Sequence, residues 1–288
     1  MFHLLSHETL AVAPGLFGQL SVSDTADVRS LGCSWACHGS VWIEPAVHLD
    51  GVTYSPGPVP ESVYLLGWLI AAAARPDGHV LMAGLGSGVG PIALAWAFPD
   101  LTVTVVEIDP AIIAMARQWF PLLAYYEAQG RIRIVTDDIL AHVWQAPETD
   151  WSVACLDAYK EIPRLHAPSS LLQALHGRVD QIWMNILEDG GTQVTDRYAE
   201  LLIDTGWEPA AVMSVHDPHG DVACGNVLLS TAMPDRNALA AFTPFAAIDH
   251  ARARLADRQI AMLLSHLRSW TSVRDLDLDA LSEHLHIV

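Results

Sequence analysis

Basic residues are scarce in this chain: fifteen Lys plus Arg stand against 33 Asp plus Glu, for a net charge of −18. A field of that sign repels nucleic acid and anionic membranes and suits cationic or neutral small ligands, although it also describes a merely soluble acidic surface. Long apolar runs are missing too. The longest, Leu65 to Ala74, stops at Arg75, well short of the roughly 20 residues that span a bilayer. Met1 to Glu8 carries no basic stretch, so no secretory signal is expected. Cysteine is sparse and scattered (Cys33, Cys37, Cys155, Cys224), which fits a reducing cytoplasm. Neither Cys33, Cys37 and His38 nor His216, His219 and Cys224 has the paired spacing of a zinc site, so no metal is expected. P-loop and G-x-S-x-G motifs, internal repeats and low-complexity tracts are all absent.

What is present is a large apolar content, 51% of 288 residues, enough for one large α/β domain with an appendage. Residues 1–57 alternate short apolar runs with turn signals at Pro14-Gly15, His38-Gly39 and Asp50-Gly51, predicting a small β-rich module. Ser55 to Pro60 reads as a linker, and Glu61 to Ala74 as an apolar helix. Strands are predicted over Val80–Ala83, Thr102–Val106, Arg131–Val135, Trp151–Leu156 and Gln181–Ile186. Between them fall helices over Pro91–Phe98, from Pro110 to about Phe120, and from Asp138 to about Trp144. A further helix over Gln193–Asp204 precedes a closing hairpin of Glu208–Val215 and Gly225–Ser230. Alternating strands and helices predict a doubly wound sheet over residues 58–233. Residues 234–288 read as a helical extension, with Ala251–Trp270 its clearest amphipathic piece.

The chemistry concentrates between His79 and Ile112. Gly84, Gly86 and Gly88 form G-x-G-x-G after the first of these strands; the dinucleotide form G-x-G-x-x-G fails at Val89. Such a turn alone equally describes a tight strand-to-helix connection with no ligand. Glu107 follows the second strand, where a carboxylate can accept both hydroxyls of a ribose. Asp137 and Asp138 follow the third strand, in position to accept from an adenine amino group, and Asp157 ends the fourth. Each acid by itself could be a helix cap. Four successive strands ending on a glycine turn or an acid point to an adenosine compound in the groove.

These residues resemble class I S-adenosylmethionine-dependent transferases, a Rossmann-like methyltransferase fold. The run Val80 to Gly88, then Val106-Glu-Ile-Asp-Pro, Asp137-Asp138 and Leu156-Asp-Ala-Tyr carries the resemblance. Leu49-Asp-Gly-Val, Glu161-Ile-Pro and Gly225-Asn-Val-Leu-Leu extend it to the spermidine synthase-like branch. The resemblance implies that Gly84, Gly86, Ser87 and Gly88 hold the donor tail, Glu107 the ribose and Asp137 or Asp138 the adenine. It also implies that Asp157 serves the attacking group, with Tyr159 and Tyr64 in the pocket. It implies a small-molecule acceptor and a homodimer.

Three departures separate the chain from aminopropyltransferases of that branch. Ser87 replaces an acid in the glycine loop, Tyr54 replaces a glutamine, and Ala158-Tyr159 follows Asp157 where a second acid is expected. A cationic substrate end without its acid is costly to bury. The expected function is therefore methyl transfer from intact S-adenosylmethionine to a small molecule. Aminopropyl transfer, aminocarboxypropyl transfer or cyclisation of the donor, and a non-catalytic nucleoside-binding dimer scaffold stand as alternatives.

Overall fold

The computed structural model describes residues 7–25, 28–33, 36–43, 47–49, 52–54, 68, 71–146, 150–161, 164–188, 194–215, 225–233 and 267–269. Four N-terminal strands, β1 (His7–Gly15), β2 (Gly18–Thr25), β3 (Val28–Cys33) and β4 (Ala36–Trp42), form an antiparallel meander. A short hairpin, β5 (Val47–Leu49) with β6 (Val52–Tyr54), follows. The β-rich character expected of this region is therefore observed. Ser55 to Pro60 and most of the apolar helix, Tyr64 included, lie outside the described residues.

The central sheet starts at β7 (His79–Ala83), whose uninterrupted apolar run suits a strand covered on both faces. Val80 and Met82 enter the core on one side, Leu81 and Ala83 the core on the other. Helix α1 (Val89–Ala97) begins directly behind Gly88, two residues earlier than its proline suggested, with Pro91 tolerated inside the first turn. Next come β8 (Thr102–Glu107), α2 (Pro110–Trp119) and α3 (Pro121–Ala128). The helix expected from Pro110 to about Phe120 is α2, and Pro121 opens a further helix, α3, directly behind it.

Beyond these lie β9 (Ile132–Thr136), α4 (Ile139–Gln145) and β10 (Val153–Leu156). A two-stranded flap follows, β11 (Tyr159–Glu161) with β12 (Arg164–Leu165), and then the short helix α5 (Ser169–Ala174). The sheet is completed by β13 (Ile182–Glu188), α6 (Val194–Asp204), β14 (Ala211–Val215) and β15 (Gly225–Ser230). Residues Leu267–Ser269 add an edge strand, β16, antiparallel to β14. That corrects the helix expected through Trp270, at least over these three residues: backbone pairing with an open edge overrides a helical period.

Strand order is β16-β14-β15-β13-β10-β7-β8-β9, with the five strands from β13 to β9 parallel. The chain leaves β7 towards β8 and β9, then returns to β10 and β13 on its other side. The switch point between β7 and β10 is where such sheets open a ligand crevice. Leu20, Val22 and Leu31 of the N-terminal sheet share one core with Ile112, Ile113 and Met115 of α2, so the β module packs directly against the α/β domain.

Candidate active site

A cleft of about 530 Å³ opens at the switch point, along the carboxyl ends of β7, β8, β9, β10 and β13. Gly84, Gly86, Glu107, Asp137, Asp138, Asp157 and Tyr159 all line it. The sequence-derived acids therefore meet in one space.

Glu107 is the most firmly held. One carboxylate oxygen accepts the Leu85 N–H at 2.9 Å, the other the Asp109 N–H at 2.9 Å. Burial pushes its carboxyl up, against these backbone donors, which pull it down. Two acceptor positions remain on an oriented carboxylate.

Asp137 and Asp138 have different duties. Asp138 caps α4, accepting the N–H groups of Leu140 at 2.9 Å and Ala141 at 3.3 Å. Asp137 accepts the Asp138 N–H at 2.8 Å through Oδ1, which leaves its Oδ2 without a protein partner among the described residues. Asp109 caps α2 in the same way, and its second oxygen accepts the Leu16 N–H at 2.7 Å. This ties the β1–β2 turn to the cleft.

The glycine turn departs from the expected arrangement. Gly84 and Gly86 line the cleft at positive φ, but a side chain on either would strike protein before reaching a ligand. A Cβ on Gly84 would lie 2.8 Å from the Asp157 carbonyl oxygen, and one on Gly86 only 2.2 Å from that of His38. Ser87 and Gly88 do not line the cleft. Ser87 is fully buried beneath Gly39, its N–H donates to the His38 carbonyl at 2.9 Å, and its hydroxyl has no partner among the described residues. Gly88 backs onto Leu123. These two residues thus stand behind the cleft wall rather than on it: β4 covers Ser87, and α3 covers Gly88.

Asp157 stands just past the end of β10, its N–H donating to the Ala83 carbonyl at 3.0 Å. It opens partly onto the cleft, yet protein surrounds it closely. Desolvation raises its carboxyl to about 7, opposed by a hydrogen bond from Asn185. That bond runs from Nδ2 of Asn185 to Oδ1 at 2.8 Å. Tyr159 donates its hydroxyl to the Asn185 main-chain carbonyl.

Sequence reasoning missed Asn185, whose signal is a lone amide inside the apolar run Trp183 to Leu187. The N-terminal module supplies one wall of the cleft through Phe17, Leu20, Cys33, Cys37 and His38, residues that no motif singles out. Burial lowers the His38 imidazole's proton affinity, opposed by nearby Asp109. Five carboxylates line the cleft, and among the described residues no Lys or Arg does.

No protein-family model matches the chain. It is 30% identical over 121 residues to a polyamine aminopropyltransferase of Neisseria meningitidis, covering 40% of this chain and 41% of that protein. A polyamine aminopropyltransferase of Vibrio vulnificus is 32% identical over 72 residues, 25% of this chain and 22% of that protein. The chain thus spans less than half the length of the curated relatives it matches. Among solved structures, a probable spermidine synthase from Corynebacterium glutamicum superposes with a TM-score of 0.58 at 15% identity, covering 83% of this chain and 85% of that one. A spermidine synthase in complex with the transition-state analogue AdoDATO gives 0.54 at 13% identity, covering 85% and 77%. The resemblance to the spermidine synthase-like branch is borne out, in fold across most of the chain and in sequence over the matched stretch.

Proposed function

We propose that the chain is an S-adenosyl-sulfonium-dependent transferase of the aminopropyl-transferring kind, acting on a small amine. The observation that carries this reading is the charge of the cleft: Glu107, Asp109, Asp137, Asp138 and Asp157, with neither Lys nor Arg among the described residues that line it. A sulfonium donor and an ammonium acceptor are both cations and suit such a wall. An intact donor adds a carboxylate. Two like charges 5 Å apart at an effective dielectric of 20 repel by roughly 3 kcal/mol, so the decarboxylated donor is preferred. Ser87 had favoured the intact donor, but it is shut beneath Gly39 and offers the tail nothing. The relatives in sequence and the neighbours in fold support the same choice over methyl transfer.

In this reading Glu107 accepts the ribose hydroxyls through its two remaining acceptor positions, and Asp137, rather than the capping Asp138, receives the adenine amino group. Ile108 and Ile139 supply apolar cleft surface for the base. Asp157 takes a proton from the ammonium and so frees the amine lone pair, which forms the new N–C bond as the C–S bond breaks with its electrons passing to sulfur. A carboxyl near 7 is ionised often enough to accept that proton and basic enough to hold it.

Methyl transfer is the second reading. It is favoured by Ala158 and Tyr159, which stand where a second acid for a diamine is expected. Incubation with intact or decarboxylated S-adenosylmethionine and a panel of small amines, followed by mass spectrometry of by-products, separates the two. Methylthioadenosine from the decarboxylated donor is the expected product. S-adenosylhomocysteine without methylthioadenosine would replace this reading with methyl transfer.

A further inference from the structure

The best-defined contact in the reacting half of the cleft is made by a residue with no chemistry of its own. Asn185 sits in the middle of β13, opposite Leu228 of β15, between the fully buried Met184 and Ile186. It is only 4% exposed, yet it lines the cleft. A strand covered on both faces is most cheaply filled by Val, Ile or Leu. The amide carries a penalty there: its Oδ1 is buried with no partner among the described residues, and such an orphan costs about 1–3 kcal/mol. What the amide gains is one bond, Nδ2 to Asp157 Oδ1 at 2.8 Å. The amide orientation follows from the acceptor, since an ionised carboxylate takes only the NH₂ side.

We propose that Asn185 is the positioning residue of the reaction. It pins one oxygen of Asp157 so that the other faces the attacking nitrogen, and it holds the carboxylate in its charged, proton-accepting form. This rests on the reading of Asp157 as the base.

Two features of the surroundings leave Asn185 with this task. Asp157 has no cationic neighbour in the described cleft. The titratable groups around it are Cys155 on the strand before it, Tyr159 beyond the turn, Glu107 from β8, Asp137 and Asp138 just past β9, His38 from β4, and His166, whose main-chain N–H donates to the neighbouring Ala158 carbonyl. Burial dominates the proton affinity of Asp157, and the Asn185 amide is the opposing influence. In addition, the Asn185 main-chain carbonyl receives the Tyr159 hydroxyl, so one residue fixes both groups flanking the acceptor position.

The test is the pH dependence of turnover in Asn185→Leu and Asn185→Ser, alongside Asp157→Asn. Loss of the amide bond should move the acidic limb of the kcat profile upward by about one pH unit. Activity should fall about fivefold at pH 7 and recover above pH 9, with KM for the donor unchanged. Asn185→Ser, which keeps a short donor, should fall between the leucine variant and wild type. A uniform loss at every pH, or a change confined to donor KM, would overturn the proposal.

A second measurement leaves Asn185 itself unaltered. The Asn185 side-chain amide resonances should titrate with the midpoint of Asp157 and lose that titration in Asp157→Asn; flat resonances between pH 5 and 9 would also sink the idea. If Asp157→Asn itself turns over normally, the reading of the base fails, whatever the Asn185 variants do. If Asp157→Asn is inactive while the Asn185 profiles stay at wild type, the positioning role alone fails.

Discussion

At one end of the cleft Glu107 is gripped by two backbone N–H groups, one from the glycine turn and one from the α2 cap. At the other, the Asp157 carboxylate is steadied by a single side-chain amide and opens partly onto the cleft. Both are carboxylates at the ends of the two strands that flank β7, and burial pushes both up. The difference lies in what opposes the burial. Backbone donors cannot move away, so Glu107 is suited to staying charged and holding hydroxyls. One amide leaves Asp157 near 7, where a proton can come and go.

The strongest attempt to break this contrast is Asp157→Asn. If Asp157 is the working acid–base group, kcat with decarboxylated donor should fall about 10²–10⁴-fold, while donor binding by calorimetry stays close to wild type. Equal loss of binding and turnover would make Asp157 a second holding group and erase the distinction. Glu107→Ala should show the reverse balance. Donor affinity should drop about 10–100-fold, and stability should fall as the Leu85 and Asp109 N–H groups lose their acceptor, at about 1–3 kcal/mol each. Calorimetry and urea unfolding read the two effects separately.

Much of this contrast was legible in the sequence, because strand ends are local. The runs ending at Ala83, Glu107, Thr136 and Leu156 carry their own apolar patterns, and the acids follow them directly. What could not be read were contacts between distant segments. Ser87 looks like a loop residue facing ligand until β4 arrives and places His38 and Gly39 on top of it. Asp137 and Asp138 are adjacent and alike in sequence, and only the start of α4 decides which becomes the cap. Asn185 shows merely as an interruption in an apolar strand, since its partner Asp157 lies across a crossover connection. The edge strand Leu267–Ser269 is set by pairing with β14, which no local period announces.

The contact between the glycine turn and β4 gives a smaller effect. A methyl on Gly86 would meet the His38 carbonyl oxygen at 2.2 Å, whereas one on Gly130 meets nothing within 4 Å, and both glycines have positive φ. Gly130→Ala should cost about 1 kcal/mol, the conformational share alone. Gly86→Ala should cost about 2–3 kcal/mol and weaken donor binding, because the N-terminal wall must retreat. Equal costs in urea unfolding would mean that β4 does not press on the turn.

The smallest effect concerns what Asp157 does to stability. With its folded carboxyl near 7 and its ordinary value near 4, the folded protein holds an extra proton between those limits. Stability from this group is therefore fully present below about pH 4 and lost progressively as pH rises to about 7. The open side of the cleft screens part of the penalty, leaving about 1–2 kcal/mol at pH 8. Asp157→Asn removes it, so the inactive variant should melt about 3 °C above wild type at pH 8. The difference should close towards pH 5, as the wild-type carboxyl regains its proton. A Glu107→Gln protein should show a smaller gain, because two backbone donors oppose the effect of burial on its carboxylate. Parallel melting curves for wild type and Asp157→Asn from pH 5 to 8 would mean that Asp157 is as comfortably charged as Glu107, and the two ends of the cleft would no longer differ in kind.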